Sequence, residues 1–241
     1  MKLIFKLTIL YMFALSVANA QNQAKSFLSI SSGISNPIGN FAASDIENAT
    51  SGFAMPGSNF SLDGAWYFHP NIGIGGVYST SVYQLNTNEL AQRYLESFDC
   101  DSALAKAAPY HTINFLVGPY FSLPLGNFTI DLRILGGITT TLSPDIIGTA
   151  INQRTGPNEG SISTFVQTSS SAIAFGFQAG LGLRYSITKH LLVSLRYDYF
   201  TSKPNLTFDN IGRTNVSGVV LTSYNQAVSG LNGTFGIGYQ F

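Results

Sequence analysis

The sequence predicts an all-β fold, an eight-stranded antiparallel up-and-down barrel that crosses a membrane. Three observations carry this. Charged residues make up 10% of the 241, against about 25% in ordinary soluble domains, too few to solvate a surface. Beyond the first twenty residues no apolar run approaches the roughly 20 residues that a spanning helix needs. Segment after segment instead alternates apolar with small or polar residues, the period of a strand whose two faces meet different surroundings.

The alternation is clearest at the end of the chain. Stepping back in twos from Phe241 gives Tyr239, Ile237, Phe235, Gly233 and Leu231, while Gln240, Gly238, Gly236, Thr234 and Asn232 lie between them. One face is aromatic and apolar apart from Gly233, and the other is glycine and small polar. An edge strand ending on phenylalanine without a charged tail is a poor edge for a soluble protein. The same strand is well placed if its apolar row meets lipid and it closes a barrel against the first strand.

The other seven strands follow in order. The first runs from about Ser26 to Ile34, with Leu28, Ile30 and Ile34 on one face. The second, near Asn59 to Phe68, sets Phe60, Leu62, Trp66 and Phe68 opposite Ser61, Asp63, Ala65 and Tyr67. His69-Pro70-Asn71 is a tight turn, because proline cannot donate to a central ladder. The third strand, about Ile72 to Tyr83, has its faces blurred by Gly73, Gly75 and Gly76. A long connection follows from Gln84 to about Pro109, and its Asn88 to Ala107 part has helical composition.

The fourth strand, about Tyr110 to Ser122, sets Ile113, Phe115, Val117 and Phe121 against Thr112, Asn114, Gly118 and Tyr120. After a turn at Leu123–Asn127, the fifth sets Phe128, Ile130, Leu132, Ile134 and Ile138 against Thr129, Asp131, Arg133, Gly137 and Thr139. A long polar loop covers about Ser143 to Ser170. The sixth strand then sets Ile173, Phe175, Phe177, Leu181, Leu183, Tyr185 and Ile187 opposite a row that includes Arg184. After the turn at Thr188-Lys189-His190, the seventh sets Leu191, Val193, Leu195, Tyr197 and Tyr199 opposite Ser194, Arg196 and Asp198. A loop near Ser202 to Asn225 leads to the last strand. Connections alternate long and short, as they do in membrane barrels with long loops outside and short turns inside.

At the N-terminus, Lys2 and Lys6 precede an apolar run from Leu7 to Val17, and Ala18-Asn19-Ala20 supplies small residues for cleavage. This predicts a secretory signal peptide over residues 1–20 and a single barrel domain over 21–241. No cysteine stands at the cleavage site, so a lipid anchor is not expected. The one cysteine, Cys100, has no partner for an internal disulfide and no CxxC or histidine-rich company. No cofactor or metal site is expected. With a formal net charge of +0, neither is a nucleic-acid partner.

The chain resembles the small outer-membrane β-barrel proteins of Gram-negative bacteria, the OmpA/OmpX-type transmembrane domain. The resemblance rests on Gly33-Ile-Ser-Asn-Pro37-Ile-Gly39-Asn-Phe41-Ala42, on Tyr67-Phe68 with Asn71 and Gly73, and on the Gly-x-Gly-Tyr239-x-Phe241 ending. It covers the mature chain and leaves no room for a C-terminal peptidoglycan-binding domain. It implies outer-membrane placement with both termini periplasmic, and contact with outer-membrane lipid and lipopolysaccharide. It also implies that Phe235, Ile237, Tyr239 and Phe241 form the signal read by the barrel-assembly machinery.

Two sets of candidate site residues remain. The histidines are His69, His111 and His190. Acyl chemistry at the outer leaflet would need a nucleophile and a base within hydrogen-bond reach there. His69 and His190 fall in the short turns, and His111 reads as an interfacial side chain, so no enzyme activity is expected.

The inward rows carry Asp63, Asp131, Arg133, Arg184, Arg196 and Asp198, three of each sign. Charges inside a narrow barrel are costly unless paired. Depth counted from the turns pairs Asp131 with Arg184, and lets Asp63 and Asp198 share Arg133 and Arg196, as an internal plug. The expected function is a structural or adhesion role through the outward loops. A narrow pore for small solutes, or an accessory subunit of an envelope complex, are the alternatives.

Overall fold

The computed structural model describes residues 23–241 except 46, 47, 49, 99, 153–160 and 214–217. The predicted signal peptide lies outside the described residues.

Eight strands close a barrel: β1 (Phe27–Pro37), β2 (Gly57–His69), β3 (Ile72–Tyr83), β5 (Tyr110–Leu125), β6 (Phe128–Leu142), β9 (Ser171–Ser186), β10 (Leu191–Ser202) and β13 (Val228–Gln240). All neighbours are antiparallel, and β13 pairs with β1, Phe27 opposite Gln240 and Pro37 opposite Gly230. The alternating rows explain why these residues take these places. Leu28, Ile30, Ile113, Phe115, Leu181, Leu195 and the row Phe235, Ile237, Tyr239 and Phe241 all face out and are exposed. The inward rows are buried.

The third strand's blurred faces resolve the same way. Val77, Ser79, Ser81 and Tyr83 point in, while Ile72, Ile74 and Tyr78 point out. The β5–β6 ladder skips Gly118 and Pro119, since a proline has no N–H to donate there.

One end of the barrel carries the short turns. Gly126 takes a left-handed φ of 66° between β5 and β6, and the Thr188 hydroxyl caps the β9–β10 turn by accepting from the His190 and Leu191 amides at 3.2 and 2.9 Å.

At the other end the sequence reading needs correction. The long connections, read as polar loops and, over Asn88 to Ala107, as helical, hold five further strands: β4 (Ser102–Ala107), β7 (Ile146–Asn152), β8 (Ser161–Gln167), β11 (Asn205–Arg213) and β12 (Gly218–Asn225). They form a second sheet in the order β12-β11-β8-β7-β4. Each runs directly into, or out of, the barrel strand that follows or precedes it. The sheet therefore repeats the barrel order β13-β10-β9-β6-β5 and continues five of the eight staves beyond the rim.

The helical composition after Gln84 yields a helix only over α1 (Thr87–Phe98), because Ser102–Ala107 pairs with β7. Leu90 of α1 is buried, and Tyr94 packs edge-on against Phe165 of β8 at 4.8 Å. Burial pushes the Tyr94 phenol above its usual range, so it stays neutral in this contact. On the opposite face of the sheet, Leu104 and Ile147 are 63% and 48% exposed.

The barrel mouth below this sheet is covered. After β1, a single 3-10 turn at Gly39–Phe41 drops Phe41 into the mouth, fully buried, edge-on to Tyr83 at 5.0 Å and to Tyr110 at 5.1 Å.

Candidate functional site: the charged barrel interior

The six inward charges lie in the turn-end half of the barrel, each 1–4% exposed. They come from β2, β6, β9 and β10, and fall into two groups. Nearest the turns, Arg184 makes a two-pronged contact with Asp131, Nε to Oδ2 at 2.6 Å and Nη2 to Oδ1 at 2.8 Å, the geometry that makes arginine–carboxylate pairs strong. The Ser122 hydroxyl donates to Asp131 at 2.6 Å, and Arg184 also donates to the Tyr67 hydroxyl at 3.2 Å. The guanidinium stands 4.1 Å from the centre of the Phe27 ring, so its face is covered by an aromatic surface.

Deeper in, Arg133 grips Asp198 with Nε and Nη2 at 2.9 and 2.7 Å. Its Nη1 donates to the Tyr120 hydroxyl at 3.0 Å and lies 3.7 Å from Asp63. Arg196 pairs with Asp63 through Nη1, and the Ser29 hydroxyl donates to the same carboxylate at 3.0 Å. Asp198 fits because Gly180 stands opposite, where a Cβ would collide with the Asp198 carboxylate. Every charge thus has an opposite one, and Arg133 serves two carboxylates while Arg196 serves only Asp63.

Sequence reasoning placed Tyr67 and Tyr120 on the inward rows but missed Phe27 and the contacts of all three with the arginines. Phe27, Tyr67 and Tyr120 are inward aromatic residues that sheath the guanidinium groups. Beyond the charges, Val77, Leu116, Leu135 and Phe200 are all buried inside the barrel. Above them comes a polar layer, with Asn59 donating to Ser81 at 2.8 Å and Asn114 to Ser79 at 3.1 Å. Tyr83, Ser35 and Asn232 share hydrogen bonds below Phe41. The signal for the apolar layer was present, since Leu116, Leu135 and Phe200 interrupt inward rows otherwise read as polar.

The histidines are not brought together. His69 is exposed in the β2–β3 turn, His190 stacks on Tyr239 at 5.2 Å, and His111 faces outward at the loop end of β5. Among the described residues no cluster of three or more His, Cys, Asp or Glu side chains is placed to hold a metal. At the turn end, a cleft of about 370 Å³ reaches in to Arg184 between Lys25, Asn127, Lys189 and Gln240.

A closed barrel that is apolar outside and polar inside is a membrane-spanning barrel, and no described helix is long and apolar enough to cross a bilayer. Residues 7–241 match the family model described as outer membrane protein beta-barrel domain. The chain belongs to that family and is an integral protein of the bacterial outer membrane. No curated protein matches it.

Similar solved structures include Ail, the attachment invasion locus protein of Yersinia pestis, at 15% identity and TM-score 0.46, covering 91% of this chain and 99% of that one. A major outer membrane protein from Thermus thermophilus matches at 11% and 0.46, with 90% and 99% covered. The outer membrane protease OmpT from Escherichia coli matches at 11% and 0.42, with 90% and 96% covered.

Proposed function

We propose that this is a non-enzymatic outer-membrane barrel that acts as a structural or adhesion protein, through the sheet that extends five of its strands beyond the rim. The observation that carries this reading is the contrast between the two ends of the wall. The interior is filled by paired charges, apolar side chains and the Phe41 cover, as suits an eight-stranded barrel just wide enough for its own side chains. The extension holds Leu104 and Ile147 exposed on an ordered sheet, an arrangement that favours a partner over passage of solute.

In this reading both termini and the short turns are periplasmic, the extension faces outward among the lipopolysaccharide headgroups, and residues 1–20 are removed on export. The exposed row Phe235, Ile237, Tyr239 and Phe241 is the signal recognised during barrel assembly. Deleting Phe241 should then impair insertion far more than Gln240→Asn on the inward row.

Planar-bilayer recordings test the reading. The purified protein should show no steady channel, and photo-crosslinkers at Leu104 or Ile147 in native membranes should capture a partner that one at Leu195, on the lipid-facing wall, does not. A steady conductance would establish the narrow pore instead. Capture of periplasmic components from the turn end alone would favour an accessory role in an envelope complex.

A further inference from the structure

Nine of the buried polar atoms with no hydrogen-bond partner among the described residues lie inside the barrel, in two groups. Toward the turns are Asp63 Oδ2, Ser194 Oγ, and Nε and Nη2 of Arg196. Toward the loops are Thr112 Oγ1, Asn114 Oδ1, Thr139 Oγ1, Thr141 Oγ1 and Ser202 Oγ. Between them lie Val77, Leu116, Leu135 and Phe200.

The order holds along individual strands. On β10 the inward row reads Arg196, Asp198, Phe200, Ser202, and on β6 it reads Arg133, Leu135, Gly137, Thr139. Val77 and Leu116 face each other across β3 and β5. Leu116 and Phe200 converge over Gly176, where an added Cβ would lie 3.3 Å from each side chain and closer still to the Thr139 hydroxyl of the loop-end group. Gln178 of β9, also buried, stands opposite both Leu135 and Phe200, and on β1 and β2 the inward Ser31 and Ser61 hydrogen-bond each other at 2.8 Å.

We propose that the interior consists of two hydrated compartments separated by this apolar layer, and that the layer, rather than the ion pairs, stops protons and small ions. Two arguments support it. Buried hydroxyl, amide and guanidinium groups left without a protein partner carry a penalty that an ordered water removes, and each group sits among other polar groups that give a water its further partners. Val77, Leu116, Leu135 and Phe200 are packed to 0–1% exposure, and water does not persist in a narrow constriction lined mainly by hydrocarbon, which is how apolar rings close channels. Of the ion-paired side chains, by contrast, Arg184 opens onto the turn-end cleft.

This rests on the reading of the barrel as closed, and the tests separate the two. The intact protein is reconstituted in phospholipid vesicles holding a pH-sensitive dye. Native protein should hold an imposed gradient, Leu116→Ala/Phe200→Ala should dissipate it about tenfold faster by wetting the constriction, and Asp131→Asn should not. If the double variant does not assemble, Leu116→Asn, close in volume to leucine, should leak in the same way.

A native protein that leaks contradicts the closed barrel and the seal together. A tight native protein with equally tight Leu116 variants, or a larger leak from Asp131→Asn, overturns the seal alone. Hydration has its own readout. Thr141→Val should lower the denaturant midpoint of the detergent-solubilised barrel by stranding a water, whereas a raised midpoint would mean a dry chamber and refute the compartment.

Discussion

The barrel wall and its continuation share strand order and direction, yet their sequences differ in kind. On β9, Ile173 to Tyr185 alternates between large apolar residues and small or polar ones, with Ala179 the one small residue on the apolar row. On β4, directly above β5, the sequence is Ser-Ala-Leu-Ala-Lys-Ala. The difference follows from the surroundings. Within the membrane each stave separates lipid from a narrow polar interior, and every residue is held to one side or the other. Above the rim, one face of the sheet packs on the core beside α1 through Ala105, Ala107 and Phe165, and the other leaves Leu104 and Ile147 exposed. The wall thus passes from a barrel whose composition is dictated by two solvents to a second sheet where only packing on one face constrains it.

The largest expected effect lies in the barrel. Asp131→Ala leaves Arg184 buried without its partner and should cost about 3–5 kcal/mol of stability. The double variant Asp131→Ala/Arg184→Ala should recover part of this. Heat-modifiability gels and urea midpoints in detergent would measure both, and strictly additive losses would mean the two side chains are not coupled.

Next comes Gly180→Ala, which forces a methyl group against the Asp198 carboxylate and should cost about 1–3 kcal/mol through overpacking. The same gels would report it, and a silent substitution would mean the β9–β10 contact relaxes freely. The smallest effect is expected above the rim. Leu104→Ser on the exposed face should change the barrel's stability by no more than about 0.5 kcal/mol. If it unfolds the barrel instead, the extension is part of the core and the distinction between the two regions fails.

The same distinction explains what could be read from the sequence. The eight staves, their inward charges and the pairing of Asp131 with Arg184 were legible, because period-two alternation fixes faces and the short turns fix depth. The third strand resisted, since Gly73, Gly75 and Gly76 carry no side chain to show a face. The five outer strands were hidden: the alanines of β4 read as helical, Ser, Thr and Asn in β7 and β8 read as polar connection, and nothing local marks their long-range pairing.

Phe41 was visible only as part of a loop pattern. Its place in the mouth depends on Tyr83 and Tyr110, which lie far along the chain. Leu116, Leu135 and Phe200 were legible in principle, but apolar residues on an inward row look like breaks in a pattern until their common depth is seen.

Limited proteolysis of intact cells tests the division most directly, because it asks which part stands outside the membrane. The account expects a protease that cannot cross the outer membrane to cut within the segments holding β4, β7, β8, β11 and β12, while the residual staves stay associated and heat-modifiable. A chain that resists cleavage on intact cells and is cut in those same segments only after the outer membrane is opened would contradict it.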